Sequence, residues 1–464
     1  MGLFASLHLA ANSLEVIQQS IGVIQNNVTN ASTPGYVQQT PTLLASSFNP
    51  QTGASGGVQF GPVQSARNQF AEQAVRYQNA SLGTTTTLAS NLNSLQQDFS
   101  VSGASGIPSA LNGLFAAFSA WATTPNDATA QQQVIASAQQ VAQEFNNAAG
   151  AVTQVASGAT QQIQSTLGQI NALTAQIQQI NVQIRAGDHG DAGLDAQLNN
   201  ALESLSNLVG IDVHYQSDGT ATVLMGGQTP LVIGATQNQL SLTPFIPASP
   251  TNVDAPPTAT ITFSDGTDVT KTVTQGQLAG LLKFNNLTLP AVQGDSSQLG
   301  GLNQLAQAFA DTVNGLVTPT SGIPLFTTTG GPTNAAASLT VNPDMTAATL
   351  VASSVSSANG TADQLAELGE PTYTDATLGA GYTAFYSSIA SSIGQQESTA
   401  TANQTTQQGL LTQAQNLRSQ VSGISLDQSA TQLIEFQSAY SASAQTVVVI
   451  NNMLTALIQM TQGI

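Results

Sequence analysis

The sequence predicts an α+β fold. Long terminal helices form a coiled coil, a discontinuous helical-bundle domain draws on both halves of the chain, and a small antiparallel β domain is inserted between them. Three observations carry this. Leu3, Leu7, Leu14, Ile17, Ile21, Ile24 and Val28 recur at spacings of three and four or their sum, and so do Leu433, Phe436, Tyr440, Val447, Ile450, Leu454 and Leu457. That period is the apolar seam of a coiled coil. From Ile211 to about Leu289 the pattern changes to short alternating runs broken by Asp-Gly turns, and helical periodicity then returns.

Each element follows from local chemistry. With Ala10 and Ala31 in its stripe, the first helix covers Leu3 to Ala31 and is roughly 43 Å long at about 1.5 Å per residue. Thr33, Pro34, Gly35 and Tyr36 end it, because proline biases Thr33 away from helix and glycine permits a turn. Burial of one Leu/Ile/Val stripe does not offset the backbone entropy of ordering so long a segment. The stripe therefore needs other surfaces, and both terminal segments are expected to be disordered in a free monomer. Glu15 is the only charged residue in it, so there are no flanking charges to select a single partner helix. An intramolecular pair of the two ends and packing between subunits both satisfy this pattern.

Residues 48–66 are turn-rich, with Gly53, Gly56, Gly57, Gly61 and Pro62. Helix is expected from Phe70, interrupted near Gly103 to Gly106 and at Pro125, and then from Ala128 to Ala186 with a stripe of Ile163, Ile170, Ile177 and Ile184. The run Gly187-Asp188-His189-Gly190-Asp191 breaks it before a further helix from Leu194 to Val209. In the β region Asp218-Gly219 and Asp265-Gly266 read as hairpin turns, separated by the Pro-rich, extended PFIPASPTNVDAPP. Helix resumes from Leu299 to Leu316, residues 318–362 read as irregular, and a long helix from Gly381 to Ser422 precedes the terminal stripe. The expected domains are 1–47 with 423–464, 48–210 with 299–422, and 211–298.

Composition narrows the function. The chain has 464 residues, 24 acids against 6 bases and a net charge of −18. That argues against nucleic acid and against an anionic membrane surface as partners. Only 6% of residues are charged, against roughly a quarter in average proteins. With no cysteine there is no disulfide, thiolate nucleophile or cysteine metal site. No secretory signal pattern begins the chain, and the most apolar C-terminal stretch is interrupted by Asn451, Asn452 and Gln459. His8, His189 and His214 lie far apart, and no Walker loop, nucleophile elbow, zinc-protease or dinucleotide motif is present. No cofactor or catalytic residue is expected. The Asp188 to Asp191 run reads as turn chemistry rather than a cation site, Trp121 as core beside Phe115 and Phe118, and Met453 and Met460 as packing. Glu367 and Glu370 read as a solvated face.

The segment NNVTNASTPGYVQQT (26–40) resembles the N-terminal signature of bacterial flagellar axial proteins, and LIEFQSAYSASAQTVVVINNMLTALIQM (433–460) is similar to their closing helix. Interior segments resemble, in order, the hook-associated proteins of the hook–filament junction: GVQFGPV with Phe70 and Arg76, PNDATAQQQVIASAQQVAQEFN, LDAQLNNALESLSNLVGIDV, GQLAGLLKF and LNQLAQAFADTVNGL. Gln38, Ser65 and the region of Gln131 depart from the family by lacking a basic residue, and the outer β domain of larger members is missing. The resemblance implies a non-enzymatic, ring-like homo-oligomer at the junction, whose paired terminal helices line a tube while Thr33-Pro34-Gly35-Tyr36 turns the chain outward. Its implied partners are the hook protein, a second hook-associated protein, and a cytoplasmic export chaperone on the C-terminal helix. Export would be through the flagellar type III route, without a cleaved signal. A distal rod or hook protein is the alternative within this class, and a secreted adhesin or enzyme with axial-type ends is the alternative outside it.

Overall fold

A computed structural model describes residues 3–47, 56–99, 105–187, 190–243, 259–295 and 298–462. The expectations for Gly53, Gly103, Ala104, Asp188, His189 and the Pro-rich 244–257 stretch lie outside the described residues.

The fold is mostly helical, with small antiparallel sheets. Helix α1 (Leu3–Thr29) leads through the Thr33–Tyr36 turn into four short strands, β1 (Gln39–Thr40), β2 (Leu43–Ala45), β3 (Val58–Phe60) and β4 (Gln64–Ser65), paired β1 with β4 and β2 with β3. Four helices follow: α2 (Gln69–Asp98), α3 (Ile107–Thr123), α4 (Ala128–Ala186) and α5 (Ala192–Leu208). Their starts follow capping chemistry. Asn68 Oδ1 accepts from Ala71 N at 3.1 Å, Asp127 Oδ1 from Thr129 N at 2.8 Å, and Asp191 Oδ1 from Leu194 N at 2.8 Å. Gly187, at φ 122°, closes α4.

Strands β5 (Ile211–Tyr215), β6 (Ala221–Met225), β7 (Thr229–Ile233) and β8 (Thr236–Gln237) form a four-stranded antiparallel meander. Strand β9 (Leu240–Thr243) pairs with β10 (Thr260–Phe263). Then come α6 (Gln277–Lys283), a π-helical turn at Phe284–Thr288, α7 (Leu289–Gln293) and α8 (Gly301–Ser321). Strands β11 (Phe326–Thr327) and β12 (Thr340–Val341) pair around α9 (Ala335–Ser338). Helices α10 (Gly360–Glu367), α11 (Tyr382–Ser422) and α12 (Leu426–Gln462) complete the chain.

Two hydrophobic cores share α4. Its first half sends Val134, Val141, Phe145 and Val152 into a core with Phe118, Trp121, Phe309 and Tyr382. There Phe309 meets Tyr382 edge-on at 5.3 Å, a favourable quadrupole arrangement. Its second half sends Ile163, Ile170, Ile177 and Ile184 against Leu202, Val223, Val232 and Ile261. The predicted isoleucine stripe is thus the ridge on which the sheets sit. Asn181 fastens it there: Nδ2 donates to the carbonyls of Ala221 at 2.8 Å and Gly234 at 3.0 Å, while Oδ1 accepts from Ala221 N at 2.9 Å. The chain's abundant amides thus satisfy buried backbone where other proteins use charge. Helix α2 packs along α11, and α1 along α12.

Several expectations need correcting. Much of the stretch from Gln277 to Gln293, read as the end of the β region, is helical, because LAGLL buries Leu278, Leu281 and Leu282 on one helical face. The Asp218-Gly219 turn does join β5 to β6, but Asp265-Gly266 closes only a tight turn. Its second arm makes one bridge, Asp268 to Thr262, and then a 3-10 turn, while β10 takes β9 as its partner. The stretch 318–362 is not wholly irregular. Helix α8 runs on through Pro319 to Ser321, and Leu325, Phe326, Leu339 and Leu350 are buried in the helical core. Met453 and Met460 are exposed rather than packed. Trp121 is fully buried in the same core as Phe115 and Phe118, and Glu367 and Glu370 are exposed.

Candidate assembly interface

Helix α1 ends, and α12 begins, at the same place on the body: the Gln38 amide donates to the Ser422 carbonyl at 3.2 Å, one turn before α12. The two helices therefore run antiparallel along one another. On α12, Leu433, Phe436, Val447, Ile450 and Leu454 are half-buried in one seam, while Tyr440 and Leu457 on the same grid are exposed. On α1, Ile24 is fully buried, Leu3, Leu7, Leu14, Ile17 and Ile21 are half-buried, and Val28 is exposed. The deepest face of α1 is carried instead by Ala10, Val16, Ser20, Ile24 and Asn27, rotated slightly from the predicted stripe.

Away from the seam, α12 presents Ile434, Val448, Val449, Met453 and Met460 to solvent, and the end of α11 adds Leu410, Leu417 and Val421. Soluble monomers rarely expose contiguous apolar surface on this scale without a partner for it. By length and composition alone this helix would pass for a membrane span. Asn451, Asn452 and Gln459 interrupt it, and one side is already packed on α1.

The turn after α1 is held by a joint that sequence reading missed. Pro34 and Gly35 occupy its centre, with the Tyr36 amide donating to the Thr33 carbonyl at 3.1 Å and Gly35 at φ 78°. This is a type II arrangement that favours glycine third. A Cβ on Gly35 would collide with the Ala196 carbonyl oxygen of α5. Asn27, buried in the last turns of α1, reads the strand beyond. Its Nδ2 donates to the Gln39 carbonyl at 2.7 Å, its Oδ1 accepts from the Gln39 amide at 2.9 Å, and the Tyr36 hydroxyl donates to that Oδ1 at 3.3 Å. Thr33 and Pro34 remain exposed. Burial pushes the Tyr36 phenol above its ordinary pKa.

Beneath the turn lies a cluster of charge in a chain that has very little. Arg67 Nη1 meets Glu72 at 2.7 Å, and its Nε and Nη2 meet Asp195 Oδ2 at 2.9 Å and 2.7 Å. Its Nη2 also donates to the Gly35 carbonyl at 2.7 Å. Arg418, near the end of α11, reaches Glu203 at 2.6 Å and Glu72 at 3.3 Å. Burial alone would lower the Arg418 pKa, but its hydrogen bond to Glu203 and the charges of Glu203 and Glu72 outweigh this and raise it. Asn68 N donates to Ser422 Oγ at 3.1 Å. Helices α2, α5 and α11 and the turn after α1 are thereby fixed to one another, and α12 departs from that point. The only signal in the sequence was the scarcity of bases, six in all, two of which sit here; spacing could not pair them with acids more than a hundred positions away.

Asp191 is a helix cap, and no group of three or more potential metal ligands occurs among the described residues. Gln38, Ser65 and Gln131, where the family resemblance had led us to look for bases, make neutral contacts. Gln38 bonds through its backbone, Ser65 Oγ accepts from Arg67 N at 3.3 Å, and Gln131 donates to the Leu350 carbonyl at 3.0 Å.

A family model described as the flagellar hook-associated protein FlgK helical domain matches residues 92–331, just over half of the chain. Flagellar hook-associated protein 1 of Bacillus subtilis is 26% identical, with 98% of each chain covered. The protein of that name from Salmonella typhimurium is 27% identical over 66% of this chain and 55% of its own length. A solved structure of the flagellar hook junction protein FlgK from Burkholderia pseudomallei aligns at 28% identity, covering 55% of this chain and 46% of that one, with a TM-score of 0.47.

Proposed function

Since the chain belongs to the family of the flagellar hook-associated protein FlgK helical domain, we propose that it assembles as a ring of identical subunits joining hook to filament. It is a structural flagellar protein and not an enzyme. The observation that carries the proposal is the apolar side of α12 facing away from α1, bearing Ile434, Val448, Val449 and Met453. One side of the helix pairs within the subunit and the other is left for neighbours. Of the predicted assembly residues, Leu3, Leu7, Leu14, Ile17, Ile21 and Ile24 with Leu433, Phe436, Val447, Ile450 and Leu454 make the pair inside the subunit, and the exposed Val28, Tyr440 and Leu457 join the surface left for neighbours.

In this reading the units 1–47 with 423–464 form the inner tube. Residues 48–210 with 299–422 form the layer outside it, and 211–298 an outer decoration. Hook protein below and a second hook-associated protein above are the axial partners. Before assembly, a cytoplasmic chaperone covers the exposed α12 face, and the chain leaves by the flagellar type III channel.

Electron microscopy of a gene-deletion strain, with flagellin assayed in the medium, tests this. Bare hooks and shed flagellin are the expected result. Missing hooks would move the protein down to rod or hook, and intact filaments would overturn the proposal.

A further inference from the structure

Arg76 is only 5% exposed, yet among the described residues it has no ion pair, and its buried Nη1 has no hydrogen-bond partner. It lines a cleft of about 310 Å³ between α2 (Gln73, Tyr77), the start of β5 (Gly210, Ile211, Asp212) and the Thr274-Gln275 turn. Arginine does not shed its proton to escape such a setting, so a guanidinium with no partner in the chain, on the wall of a cleft, is suited to an anion. The acids nearby do not supply one. Glu72, one helical turn earlier, is shared by Arg67 and Arg418, and Asp212 borders the cleft without forming an ion pair with Arg76. On the same helix, Tyr77 is 56% exposed and Phe70 83% exposed. Phe70 and Tyr77, seven residues apart, share one face of α2, and Tyr77 lines the cleft beside Arg76; exposed aromatics next to an arginine are the composition of an interface hot spot.

We propose that this face of α2 contacts a second copy of the chain: an Asp or Glu side chain of the neighbour enters the cleft and pairs with Arg76, and Phe70 and Tyr77 are covered around it. Charge complementarity selects the occupant. With 24 acids against 6 bases, a neighbouring copy offers carboxylates in excess, and Arg67 and Arg418 are already paired within the chain. The inference rests on the assembly reading but uses a surface separate from α1 and α12, placing a second ring of contacts outside the tube.

The test uses the full chain expressed in the deletion strain, with Tyr77 replaced by photoreactive p-benzoylphenylalanine. Irradiation of intact flagella is expected to give a species of twice the chain's mass, containing two copies. Adding Arg76→Met should cut its yield by roughly tenfold or more. The purified Arg76→Met chain should melt at or above the parent temperature, since it loses an unpaired buried charge. An unchanged yield, a product with a different protein, or a lowered melting temperature would each overturn the inference while leaving the junction reading intact. Intact filaments in the deletion strain would sink both.

Discussion

Arg67→Met is the perturbation whose consequence the structure fixes most closely. The Arg67 side chain is 8% exposed and that of Glu72 beneath it 5%. Methionine keeps most of the volume but removes the bonds to Glu72, to Asp195 and to the Gly35 carbonyl. Glu72 is then left with Arg418 alone, at 3.3 Å. Breaking a buried pair costs about 3–5 kcal/mol, because the surviving charge stays buried. Arg418 retains part of the compensation and Asp195 is one-third exposed, so we expect the low end, about 3 kcal/mol. Urea m-values reach about 3 kcal/mol per molar in small proteins and rise with size, so the midpoint should fall by up to about 1 M. The internal control is Arg185→Met, which breaks the exposed 3.7 Å pair with Asp218 and should cost at most about 0.5 kcal/mol. Adding Glu72→Gln to Arg67→Met should lose less than the sum of the two single changes, by about 1–3 kcal/mol, since the orphaned charge is gone. An Arg67→Met midpoint shift no larger than that of Arg185→Met would refute the claim that this cluster holds the joint.

Four further outcomes are expected. Gly35→Ala meets both the positive φ and the Ala196 carbonyl; it should destabilise by at least about 1–2 kcal/mol from the backbone term alone, seen as a lower melting temperature and faster cleavage after Tyr36. Asn27→Asp keeps the acceptor for the Gln39 amide but leaves the Gln39 carbonyl without its donor. It should cost about 1–3 kcal/mol, with faster amide exchange at Gln39. Burial pushes the Tyr386 phenol up to about 12, and Tyr382 further in the same direction. A raised folded-state pKa contributes stability that is fully present below the unfolded value near 10 and is lost as pH rises toward 12. Thermal stability should therefore fall above pH 10, and Tyr386→Phe should lessen the fall. Finally, amides of residues 3–29 and 426–462 should exchange rapidly in dilute monomer and become protected in isolated flagella. Protection already present in the monomer would show that the α1–α12 pair is stable by itself.

Much of this protein was legible without coordinates because periodicity is a local property. The α4 boundaries, the two terminal helices and the Asp218-Gly219 hairpin each follow from a repeat or turn signal within a few residues. The absence of catalytic motifs and the scarcity of charge were likewise plain. The partner of β10 was not legible, because strand pairing joins residues across the 244–257 stretch and no local signal fixes register. Nor was the helical state of Gln277 to Gln293, where a short apolar run fits a strand or a helix equally and only burial against α2 and α4 decides. The joint shows the division most clearly. Sequence determined that Thr33-Pro34-Gly35-Tyr36 would turn the chain. Only the tertiary structure decided that Arg67, Glu72, Asp195, Glu203 and Arg418 would gather under that turn. Ion pairs between residues up to 346 positions apart exist only once α2, α5 and α11 have been packed by their apolar faces.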